Sequence, residues 1–235
     1  MTQQNIWAAG ILCFAMLTPP LAHASEKEAS TPILSTQQLL TDMESPAEDM
    51  LDAIAHANRP LLKHLYTQLS QQIDQLNQRD ITHDTNPLQS MNIIMQNAWF
   101  DLISVEIQEM DDMPALSNAI NQFSGQLIIT TSFQQPEART IAWMDYLGRA
   151  LLQLSEHPSA SPLQERMLES RRVALQSAWD SIKHVMQRDA DGLTLIQQVD
   201  PVIQALMVEK DAHHRVILAN QELDWVDRIE AYFHI

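Results

Sequence analysis

The amino-acid sequence predicts an all-α protein: an antiparallel bundle of about six helices around a central apolar helix at 141–154, with no substantial sheet. Three observations carry this reading. Glycine is scarce, and beyond the N-terminal leader only Gly125, Gly148 and Gly192 remain, whereas β-rich folds need glycine-bearing turns every few residues. A capping residue followed by proline recurs at Ser45-Pro46, Asn86-Pro87, Ser161-Pro162 and Asp200-Pro201, each ahead of an apolar periodic run. The third is the stretch Ile141–Leu154. Its charged and amide residues, Asp145, Arg149 and Gln153, stack on one narrow stripe of a helix, and apolar side chains cover most of the rest. A helix of that kind is a buried one, and Asp145–Arg149 would then be a buried ion pair.

In chain order, residues 1–24 read as a signal peptide. Ile6–Leu17 is an apolar run too short to span a bilayer comfortably, Pro19-Pro20 breaks it, and Ala22-His23-Ala24 has the small-x-small form of a cleavage site. Cleavage between Ala24 and Ser25 is expected, with delivery to the periplasm or outside the cell. No Lys or Arg precedes Ile6, which departs from the usual basic start of such leaders. The single cysteine, Cys13, lies in the leader, so the mature chain would carry no disulfide and no thiolate.

Residues 25–44 read as a flexible arm with a short helix at best, and 45–235 as a single helical-bundle domain. Ser45-Pro46-Ala47-Glu48 has the form of a capping box. The run that follows, through Leu76, is interrupted by Pro60, which kinks the helix or splits it with Asn58 as a new cap. A second run follows Pro87 and ends near Asp111-Asp112. The run from Pro114 reads as helix, although Leu127–Thr131 has strand-forming composition as well. The central helix follows Pro136, and His157–Ala160 is a short loop. A fifth helix starts at Ser161, carries Leu168, Leu175, Trp179, Ile182 and Met186 inward, and stops at Asp191-Gly192. Leu193–Val199 reads as an apolar bridge to a last helix from Pro201 to Phe233.

The formal net charge is −16, which repels phosphate backbones and anionic lipid. Nucleic acid is therefore not an expected partner, and no stable membrane span is expected once the leader is removed. Basic partners and cations are electrostatically allowed.

Within the last predicted helix, Glu209–Arg215 is polar all round for nearly two turns. Glu209 and His213 share one face, and Asp211 and His214 another; Asp180 and His184 on the fifth helix would stand level with them. These six residues are the candidate ligand-binding set, suited to a divalent cation or to split acid and base roles. The plainer reading is a solvent-facing belt or a break in the helix. Asp52 and His56, extended back to Glu48, form a second carboxylate–histidine group. Arg171-Arg172 is placed to pair with the acidic surface or to grip an anion. No phosphate loop, nucleophile elbow or zinc-protease helix is present, and no catalytic residue, metal or cofactor is assigned. The expectation is an exported, non-enzymatic interaction or accessory protein of the bacterial envelope with an envelope-protein partner. The alternative is a helical ligand- or metal-binding protein using the 209–214 belt.

Overall fold

The computed structural model describes residues 35–78, 87–109, 112–159 and 161–235. The leader, its cleavage site, the arm as far as residue 34, the Asn86 cap, Asp111 and Ala160 lie outside them. Among the described residues the chain is an all-α bundle without strands. Its helices are α1 (Thr36–Asp42), α2 (Glu44–Ala55), α3 (Arg59–Asn77), α4 (Pro87–Glu109), α5 (Met113–Thr130), α6 (Pro136–Glu156), α7 (Pro162–Met186), α8 (Ala190–Val208) and α9 (Ala212–Phe233). None of these helices is long and apolar enough to cross a membrane.

Local signals set most of the helix ends. Asn58 Oδ1 accepts from the Leu61 amide at 3.2 Å, so Pro60 splits the first run rather than kinking it. Ala57, at φ 50°, makes the left-handed turn between α2 and α3. Asp112 Oδ1 accepts from the Ala115 amide at 2.9 Å and starts α5. Ser161 Oγ accepts from the Leu163 amide at 3.3 Å and starts α7.

Three expected boundaries shift. The short helix allowed in the arm is α1, Thr36–Asp42, and the boundary that shifts is the start of α2, at Glu44, ahead of the Ser45 cap. Leu39, Leu40 and Met43 there are fully buried, and that burial overrides the polar look of the segment. Asp200 is not a cap, because its carboxylate accepts from Trp179 Nε1 at 2.6 Å and from Lys183 Nζ. Pro201 accordingly lies inside α8, on its exposed side, where the missing amide hydrogen bond leaves a carbonyl open to water. Leu193–Val199 is thus part of α8 and not a bridge. Gly192 does not end α7 either: its amide donates to Asp189 Oδ1 at 2.8 Å, in the first turn of α8.

Gly192 is tied to that turn by a close approach. A β-carbon there would collide with the Met186 carbonyl and lie 3.0 Å from Met186 Cα. Gly192→Ala is expected to lower stability by about 1–3 kcal/mol, read from thermal or denaturant melts, because main chain cannot step aside as a side chain can.

Two apolar cores meet along α5. The first gathers buried residues of α1–α5, ending with Leu127; the second begins at Ile128 and gathers those of α6–α9. α6 packs against α5, α7 and α9. No residue from Ile141 to Ser155 is exposed, as the apolar composition of that stretch requires. α5 is as deeply set, with Asn121, Ser124 and Gly125 buried beside its apolar residues.

Candidate functional site: an acidic cleft between α2, α6 and α9

The 209–214 belt is a helix–helix turn. α8 ends at Val208 and α9 begins at Ala212, so the polar residues occupy a break and not the middle of a helix. Asp211 caps α9, its Oδ1 accepting from the His214 amide at 2.9 Å, and these amide hydrogen bonds hold its carboxyl below the usual range. Glu209 Oε1 accepts from the Asp211 amide at 2.8 Å, and its second oxygen lies 3.8 Å from His214 Nδ1. Beneath the turn, Arg172 donates to the Glu209 carbonyl and Arg215 to the Lys210 carbonyl, closing the negative end of α8. Arg172 thus takes a main-chain role, and no carboxylate pairs with it among the described residues.

His213, His214 and Asp211 are exposed and Glu209 is half-buried. Asp180 and His184 are exposed on α7, in an open groove beside Met207, and Asp180 Oδ1 accepts from Gln176 Nε2 at 2.9 Å. Neither is joined to the turn by an ion pair or hydrogen bond among the described residues. The structure therefore does not bring the six residues together. Among the described residues no three His, Cys, Asp or Glu side chains converge as metal ligands would.

The densest grouping of charge lies elsewhere. α6 turns its Asp145–Arg149–Gln153 stripe toward α2 and α9, where a cleft of about 540 Å³ opens. Arg149 Nη2 donates to Glu48 Oε1 of α2 at 3.0 Å and to Asp145 one turn earlier on its own helix. Gln153 Nε2 donates to Ser117 Oγ of α5 at 2.8 Å. α9 faces them with Asp224, Asp227 and Glu230. Among the described residues eight carboxylates line the cleft and Arg149 is its one cation. The Asp52–His56 group divides here: Asp52 lines the cleft, whereas the His56 ring nitrogen sits 2.8 Å from the Asp52 main-chain carbonyl.

One guanidinium cannot balance so many acids, and burial sharpens the imbalance. Desolvation, with help from Glu48 and Glu230 and against the pull of Arg149, raises Asp145 to about 7. Burial and Glu48 raise Glu44 to about 7 as well, and Glu230 moves the same way. Arg149 is held charged by Asp145 and Glu48, whose attraction exceeds its own desolvation.

Next to the cleft, Glu222 of α9 is fully buried, and neither carboxylate oxygen has a hydrogen-bond partner among the described residues. It packs over Gly148, where a β-carbon would overlap one of its oxygens. Burial, reinforced by Asp145, pushes its carboxyl well above the ordinary range and favours its protonated form.

Sequence reasoning reached Asp145, Arg149, Glu48 and Asp52 but missed Glu44, Glu222, Glu230 and the α9 acids. For Glu222 a signal was present. It falls three residues after Ala219 and four before Val226, on the buried stripe that continues to Ile229. No family model, curated protein or solved structure matches the chain.

Proposed function

We propose that this is an exported, non-enzymatic binding protein of the bacterial envelope whose α2–α6–α9 cleft receives a cationic segment of a partner protein. The observation that supports this most is the surplus of carboxylates over Arg149 in a cleft where burial raises the proton affinity of Asp145 and Glu230. Arg149 is an internal precedent: a guanidinium placed there is gripped by carboxylates from two helices. The acids are spread along the cleft and do not converge on one point, which suits an extended cation such as a Lys- and Arg-bearing peptide better than a single metal ion. The overall charge of −16 would steer such a partner toward the protein.

A bound cation stabilises the ionised carboxyls, so binding should expel the protons held by Asp145, Glu44 and Glu230. Calorimetric titration with an oligo-arginine peptide, in two buffers of different ionisation enthalpy, is expected to show proton release. Affinity should rise between pH 6 and pH 8 and fall with added salt. The double variant D224N/D227N should bind about tenfold more weakly. Buffer-independent heats, or unchanged binding by that variant, would remove the cleft from consideration.

A further inference from the structure

On another side of α6 lies a smaller cavity of about 290 Å³, walled by α5, α6 and α7. Its lining is the electrostatic opposite of the acidic cleft. Among the described residues no carboxylate contributes to it, in a chain with 30 Asp and Glu residues. Four amides do: Asn118, Gln122, Gln153 and Gln164. Its one permanent charge among the described residues is Arg171 of α7.

These polar groups are held in place by bonds that leave their other ends unused. Tyr146 Oη donates to Gln122 Oε1 at 3.2 Å, which leaves the Gln122 amino group without a partner among the described residues. Gln153 and Gln164 spend their amino groups on Ser117 Oγ, at 2.8 Å, and on the Leu154 and His157 carbonyls, at 2.9 and 2.8 Å. Their amide oxygens accept nothing from the protein among the described residues. The Arg171 guanidinium lies 5.2 Å from the centre of the Tyr146 ring, and no carboxylate is within ion-pairing distance of it among the described residues. The pairing with surface acids expected for Arg171 is therefore not made. A planar guanidinium braced on an aromatic face is preorganised for a fork-to-fork pair with a carboxylate.

We propose that this cavity is a binding site for a small hydroxylated organic acid. Arg171 takes the carboxylate, the Gln122 amino group donates to a ligand oxygen, and the Gln153 and Gln164 amide oxygens accept from ligand hydroxyls. A volume near the lower end of small-molecule sites, ~300 Å³, limits the ligand to roughly the size of a single sugar acid. The site is separate from the acidic cleft apart from Gln153, which borders both, and does not depend on what the cleft binds.

The test is a titration with glucuronate, gluconate and malate, and with glucose as the uncharged control, followed by side-chain amide NMR signals. The expected result is a saturable shift of the Gln122, Gln153 and Gln164 amide signals, with at least one acid preferred over glucose by about tenfold or more. R171Q should abolish that preference, and R171K, which keeps the charge without the fork, should restore part of it. Q122L should weaken binding while leaving some preference for the acid. Absence of a saturable shift with all three acids would overturn the proposal, as would a preference that survives intact in R171Q. Thermal melts of each variant separate loss of the site from loss of the fold.

Discussion

Arg149→Met is expected to destabilise the protein by about 3–5 kcal/mol at pH 8, measured by denaturant unfolding, because it strands Asp145 and Glu48 beside one another without their cation. The size of the effect follows from what remains. Asp145 is largely buried, and its carboxylate has lost the one group that favoured ionisation. Most of the flexible stem is kept by methionine, so packing changes little. The loss should shrink at pH 5, where the stranded carboxyls can take up protons. D145N/R149M should recover a good part of it at pH 8. An equal loss at both pH values would mean that Arg149 matters for its packing and not for its charge.

The second large effect has the opposite sign. Glu222→Gln is expected to raise stability by about 2–4 kcal/mol at pH 8 and to change it little at pH 5. Glu222 has a raised affinity for its proton in the folded state. A group of that kind adds stability below the carboxylate value of the unfolded chain, and this is lost as pH rises through its folded value. Asp145, Glu44 and Glu230 act in the same direction, with the first two centred at about 7. The wild-type chain should therefore melt higher at pH 5 than at pH 8, by on the order of 5–10 °C. Asp189, Asp200 and Asp211, whose carboxyls are held low, withdraw their contribution only in more acid solution, outside this window. Glutamine keeps the shape of Glu222 and cannot ionise, so E222Q should flatten the profile between those pH values. A profile as steep as that of the wild type would assign the pH dependence to the cleft carboxyls alone.

The parts of this protein legible in its sequence are those whose cause is local. α6 declares itself because its 141–154 stretch, with only Asp145, Arg149 and Gln153 to offer water, must be buried, and α7 because Ser161-Pro162 starts a clean apolar period. Asn58 caps a new helix, the second of the two readings that Pro60 allows. The errors arose where a side chain works at a distance. Asp200-Pro201 has the form of a helix start, yet the Asp200 carboxylate belongs to Trp179 and Lys183 on the neighbouring helix. The polar belt was visible, but periodicity alone does not separate a helix with a wet turn from two helices, and the buried arginines that close the break come from different segments. The cleft was half legible. Asp145 and Arg149 stood out on one helix, whereas Glu48, 101 residues from Arg149, and the acids of α9 join them only through packing.

The meeting of two apolar cores along α5 has a mechanical corollary. Leu127 looks one way and Ile128 the other, so this helix is a shared keystone that neither half can surrender. Cutting the chain on either side of it would leave one half with its keel and the other with an open hull. The Arg149–Glu48 clasp spans the same divide from the outside, and a ligand seated in the cleft would press on the joint itself.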